Sequence, residues 1–74
     1  MEKLNFIIAK NLSELRRKNK LTQLEVAEKL NYSDKAVSKW EQGESLPGIE
    51  VLYKLAKLYG VSMDYIVGEK EVKP

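Results

Sequence analysis

Lys35 and Lys39 stand four residues apart, one helical turn, with Asp34 and Ser38 in the same short segment. Residues four apart share a helix face. That face would present two ammonium donors, a hydroxyl that donates or accepts, and a carboxylate that only accepts. Such groups suit the recognition of an anion or of a hydrogen-bonding edge. They also suit a plain solvated helix surface. A second basic group, Arg16, Arg17, Lys18 and Lys20, is consistent with a helix C-terminus, where cations complement the dipole. That role does not exclude contact with phosphates.

Bond-making chemistry has little to work with. The 74 residues include no His and no Cys, which removes the usual zinc and iron ligand sets and any disulfide. General acid–base or nucleophilic work would fall to carboxylates, Lys or Ser. Glu25 is engaged as a cap partner, Asp34 opens a helix, and no Gly-rich phosphate loop exists. The expectation is a protein that is not an enzyme and needs no metal, cofactor or small-molecule ligand. Thirteen basic against eleven acidic residues leave a net charge of +2, a weak pointer to nucleic acid. The absence of Cys is compatible with a cytoplasmic location. No signal-peptide pattern follows Met1, and the longest apolar run, Phe6 to Ala9, is far too short to span a membrane.

These groups must be positioned by helices, since no strand pattern or repeat competes. Leu4, Ile8, Leu12 and Leu15 form one face of a helix over about residues 4–18, with Asn19 as its αL cap. Thr22-Gln23-Leu24-Glu25 has the form of a capping box. It opens a second helix with Leu24, Ala27 and Leu30 inward and Val26 beside them, stopping at Asn31, a residue tolerant of a left-handed turn. Ser33 caps a third helix with Ala36, Val37 and Trp40 inward and Gly43 closing it. Pro47-Gly48 marks a loop. A fourth helix carries Val51, Leu52, Leu55, Ala56 and Tyr59 and ends at Gly60. Ser62 caps a short fifth helix over 63–67. Residues 1–68 read as one domain, and the charged segment 69–74 as a frayed tail or the start of a linker.

The second and third helices, with a short turn between them, meet the needs of a helix-turn-helix. Ala27 is the small residue at the crossing, Asn31 the turn residue and Val37 the apolar plug. Val26, Leu30, Tyr32 and Trp40 fill the other inward positions. The stretch LTQLEVAEKLNYSDKAVSKWEQG, Leu21 to Gly43, resembles the helix-turn-helix of the lambda-repressor-like family, the Cro and Xre type of phage and bacterial regulators. The resemblance covers about residues 5–68. It departs at Asn31, where Gly is commonest, and at Gly48, where Ser or Thr is usual. It implies an all-α fold of five short helices with the third, about residues 33–42, reading duplex DNA in the major groove.

On that reading Asp34, Lys35, Ser38 and Lys39 face the bases, lysine donating to guanine and aspartate accepting from cytosine. The resemblance implies that Gln23 hydrogen-bonds a phosphate and that Arg16 pairs with Glu41. Thr22, Ser33, Gln42, Gly43 and Ser45 are further candidates for backbone contact, which fixes register without reading sequence. Family modules act as two-fold dimers on near-palindromic sites roughly 34 Å apart. The implied function is a transcriptional regulator, a repressor, acting as a homodimer. Met63, Tyr65, Ile66 and Val67 are candidates for a dimer contact or for simple core closure. The competing function is a protein-interaction or antitoxin-like module that keeps the fold without binding DNA.

Overall fold

The computed structural model describes residues 3–68. Five helices follow in chain order: α1 Leu4–Lys18, α2 Gln23–Leu30, α3 Asp34–Gln42, α4 Ile49–Tyr59 and α5 Met63–Ile66. Segment 69–74, read above as a tail or linker, lies outside the described residues.

Local chemistry sets the ends of α2 and α3. Thr22 Oγ1 accepts from the Glu25 amide at 3.0 Å and Glu25 Oε1 accepts from the Thr22 amide at 2.8 Å. Two free amides of the first turn are thereby satisfied. Asn31 follows in the left-handed region at φ 63° and ends α2. Ser33 Oγ accepts from the Ala36 amide at 3.1 Å and starts α3. Gly43, at φ 76°, ends it. Ser62 caps α5 in the same way.

One apolar core joins the helices. It takes Ile8, Leu12 and Leu15 from α1, Val26, Ala27 and Leu30 from α2, and Val37 and Trp40 from α3. Val51, Leu52, Leu55, Ala56 and Tyr59 come from α4 and Ile66 from α5. Ala27 and Val37 are both almost wholly buried, as the close crossing of α2 and α3 requires.

Several expectations from the sequence need correction. Leu24 is 54% exposed; on the helical wheel it lies about 120° from Leu30, beyond the buried sector of Val26, Ala27 and Leu30. Leu4 is half-exposed too, because the stripe of α1 continues past the end of the core. Tyr32 remains half-exposed and its ring meets Trp40 edge to face, ring centroids 5.5 Å apart. Ile66 is fully buried, so it closes the core and cannot form a dimer contact. Met63, Tyr65 and Val67 are partly buried against the same core.

Asn19 is not left-handed, having φ −90°; the positive φ falls on Lys20, at 59°. A lysine there carries strain of roughly 1–2 kcal/mol that glycine would not. Lys20→Gly is expected to stabilise the fold by about 0.5 kcal/mol, after the greater entropy of glycine in the unfolded chain is subtracted. A urea midpoint that falls would refute this.

Asn11 is the buried polar residue of the core, 3% exposed. Its Nδ2 donates to the carbonyls of Ile66 at 2.8 Å and Tyr65 at 3.3 Å. It therefore caps the C-terminal end of α5 from α1, a role the sequence reading did not assign.

Candidate nucleic-acid interface

The third helix is held from its inner side and bare on its outer side. Val37 and Trp40 enter the core, while Asp34, Lys35 and Lys39 are exposed and Ser38 is half-buried. Among the described residues neither lysine has an ion-pair partner. Their ammonium groups are thus available to an acceptor from outside. Ser38 Oγ accepts from Gln42 Nε2 at 2.9 Å. With one lone pair engaged, the Ser38 hydroxyl keeps its proton to donate outward.

Glu41 projects from the other side of α3 and ties it to two helices at once. Its Oε2 accepts from Arg16 Nε at 2.8 Å, and its Oε1 accepts from Gln23 Nε2 at 3.1 Å. The side chains of Arg16 and Glu41 are only 17% and 6% exposed. Arg16 also donates through Nη1 to the Leu21 carbonyl at 2.9 Å, which fixes the turn before α2. The hydrogen bond to Glu41 raises the Arg16 pKa against a smaller opposing effect of desolvation, so the guanidinium stays charged. Tyr59 lies beside this pair. Burial first, and the Glu41 carboxylate second, push its hydroxyl up to about 12, with Arg16 pulling the other way.

Gln23 is therefore not a free surface amide. One of its N–H groups is spent on Glu41; the other, and its carbonyl oxygen, are left for a ligand. Thr22 and Ser33 use a hydroxyl lone pair as helix caps and retain their O–H protons. Ser45 is exposed in the loop after α3. Gly43 is different. Its amide donates to the Trp40 carbonyl at 3.3 Å, and its own carbonyl accepts from Asn5 Nδ2. Both of its backbone polar groups are engaged within the protein, so it has no donor left for a phosphate.

The Asn5 contact, and the neighbouring Phe6, were not legible in local sequence pattern. A Cβ at Gly43 would lie 2.7 Å from Phe6 Cδ1. Gly43→Ala is therefore expected to cost about 2 kcal/mol, from left-handed strain plus displacement of the ring. Phe6→Ala in the same background should recover the steric share. A fully additive double-mutant cycle, read by urea unfolding, would refute the contact.

Five helices with a bare-faced α3, braced by α1 and α2, define a lambda-repressor-like helix-turn-helix domain. The Helix-turn-helix family model HTH_3 matches residues 12–66. The HTH-type transcriptional regulator ImmR of Bacillus subtilis is 43% identical over 65 residues, covering 88% of this chain and 51% of that protein. The chain thus spans about half the length of that relative. Among solved structures, the P22 c2 repressor in complex with a synthetic operator superposes with a TM-score of 0.79 at 30% identity. That match covers 82% of this chain and 92% of the repressor chain. A LexA structure from Eubacterium rectale reaches a TM-score of 0.88 at 23% identity, over 99% of this chain and 78% of that one; it is a likeness of fold. This chain belongs to the HTH_3 helix-turn-helix family.

Proposed function

We propose that the chain binds duplex DNA as the reading domain of a transcriptional regulator, with α3 in the major groove. The supporting observation is the asymmetry of α3: anchored through Val37, Trp40 and Glu41, exposed through Asp34, Lys35, Ser38 and Lys39. Lys35 and Lys39 would donate to guanine O6 and N7, Ser38 would donate beside them, and Asp34 would accept from cytosine N4. Thr22, Gln23, Ser33, Gln42 and Ser45 would hold phosphates and set register. Residues 1–68 would form the binding unit. The P22 c2 relative, named a repressor and bound to an operator, favours a repressor. The regulator would act in the cytoplasm as a homodimer on a near-palindromic site, the arrangement in which two modules accumulate affinity.

Selection of bound sequences from random duplex DNA tests this. Lys35→Ala and Lys39→Ala are each expected to lower affinity for the selected site about tenfold or more and to relax base preference at one position. Affinity should fall steeply with salt, and Lys10→Ala, on α1, should change little. No enriched sequence and no salt-dependent binding would favour the protein-interaction alternative.

A further inference from the structure

The loop that follows α3 is fastened at its two ends and bare between them. At one end the Gly43 carbonyl accepts from Asn5 Nδ2, and the Phe6 ring lies where a side chain on Gly43 would stand. At the other end Pro47 is buried, and its own ring fixes φ. Glu44, Ser45 and Leu46 between them are exposed. The Glu44 amide turns back to the Lys39 carbonyl at 3.0 Å. Among the described residues, neither the Ser45 amide nor the Leu46 amide has an acceptor within the chain. Together with the Ser45 hydroxyl they are neutral donors left uncommitted just beyond the helix proposed to read DNA. The core does not account for Phe6. Its side chain is 53% exposed and lies outside the buried apolar cluster, yet its ring rests on Gly43.

We propose that Asn5 and Phe6 are positioning residues for DNA binding. From the start of α1 they hold the loop over residues 43–47 in the orientation in which Ser45 and the Leu46 amide donate to a DNA phosphate. Neither residue touches the DNA itself. The assignment rests on the DNA-binding reading above and adds to it a clamp from a helix that is not part of the helix-turn-helix.

Orientation matters here because of Glu44. Its carboxylate adjoins these donors in the chain and would repel the same phosphate, so the loop serves only when turned to present the donors and hold the carboxylate aside. Rigidity matters because an unfastened loop must be ordered at the moment of binding, which subtracts from affinity. Asn5 and Phe6 fix the first residue of the loop in the free protein. Neutral donors to a phosphate add affinity and register without reading sequence.

The double variant Asn5→Ala with Phe6→Ala tests the clamp, since it removes the donor and the ring without changing charge. Without DNA, NMR relaxation of the Ser45 and Leu46 amides is expected to show a looser loop, with α3 unchanged. Phe6→Tyr, which keeps the ring, should leave the loop as it is. On a selected duplex the double variant should bind about tenfold more weakly, the share of one hydrogen bond to a charged group. Base preference should be unchanged, and so should the salt slope, because neutral donors release no counterions of their own. Ethylation of one backbone phosphate should interfere with binding of the unsubstituted chain and no longer with that of the double variant. Ile8→Val is the control for stability: it loosens the core and should leave both loop order and affinity alone. A double variant with an ordered loop, with undiminished affinity or with altered base preference would overturn the clamp alone. An unsubstituted chain that binds no duplex, while its loop loosens as expected, would overturn the DNA-binding reading and the clamp's role with it.

Discussion

Arg16→Ala is expected to lower the unfolding free energy by about 3 kcal/mol, the low end of the cost of breaking a buried ion pair. In a domain of this size that corresponds to a fall in Tm on the order of 15 °C. The loss exceeds that of an ordinary salt bridge because Glu41 stays behind, nearly buried, with only Gln23 to share its charge. The Leu21 carbonyl loses its donor as well. Arg17→Ala is the control. Arg17 is exposed and, among the described residues, bonds Ser13, one turn away on the same helix, and its loss should stay within about 0.5 kcal/mol. Equal urea midpoints for the two variants would refute the role assigned to the pair.

Asn11→Leu is expected to cost about 3 kcal/mol, although leucine is the more apolar residue and its site is buried. The Ile66 carbonyl would lose its donor inside the protein, at about 1–3 kcal/mol for an unsatisfied buried group, while the Tyr65 carbonyl would keep only the Gly68 amide at 3.3 Å. A helix of four residues has no stability of its own to fall back on. Amide hydrogen exchange should show α5 opening before the rest of the domain. Asn11→Asp should be worse still, because a carboxylate cannot donate to either carbonyl. Protection of α5 in Asn11→Leu equal to that of the unsubstituted chain would exclude the capping role.

The elements most legible in the sequence were those fixed by local chemistry. Thr22 with Glu25, Ser33, and the left-handed Asn31, Gly43 and Gly60 each act on their own neighbours, so residue type and spacing carry the information. Lys20 shows the limit: Asn19 was the better left-handed candidate by type, yet the hydrogen bonds of the α1–α2 turn place the strain one residue later. Contacts distant in sequence were harder to read. Asn11 is a polar residue on the apolar stripe between Ile8 and Leu15, which was the signal available for it. Its partners lie more than fifty residues away. Gln23 was assigned to phosphate by resemblance, but nothing in its neighbourhood indicated that Glu41 holds one of its amide protons. Leu24 fell to a helical face drawn too wide for a two-turn helix.

The division of labour on α3 has a consequence for how such a protein can change. Every group that fastens the helix, Val37, Trp40, Glu41 and the Gly43 cap, lies on residues other than Asp34, Lys35 and Lys39. Substitutions at those three outward positions therefore leave the fastenings intact. On the proposed base-reading role of these residues, a lineage, or a randomised library, would explore new operators there while drawing almost nothing from the folding stability of a thin-cored domain. Target choice is free to drift while the scaffold stays put.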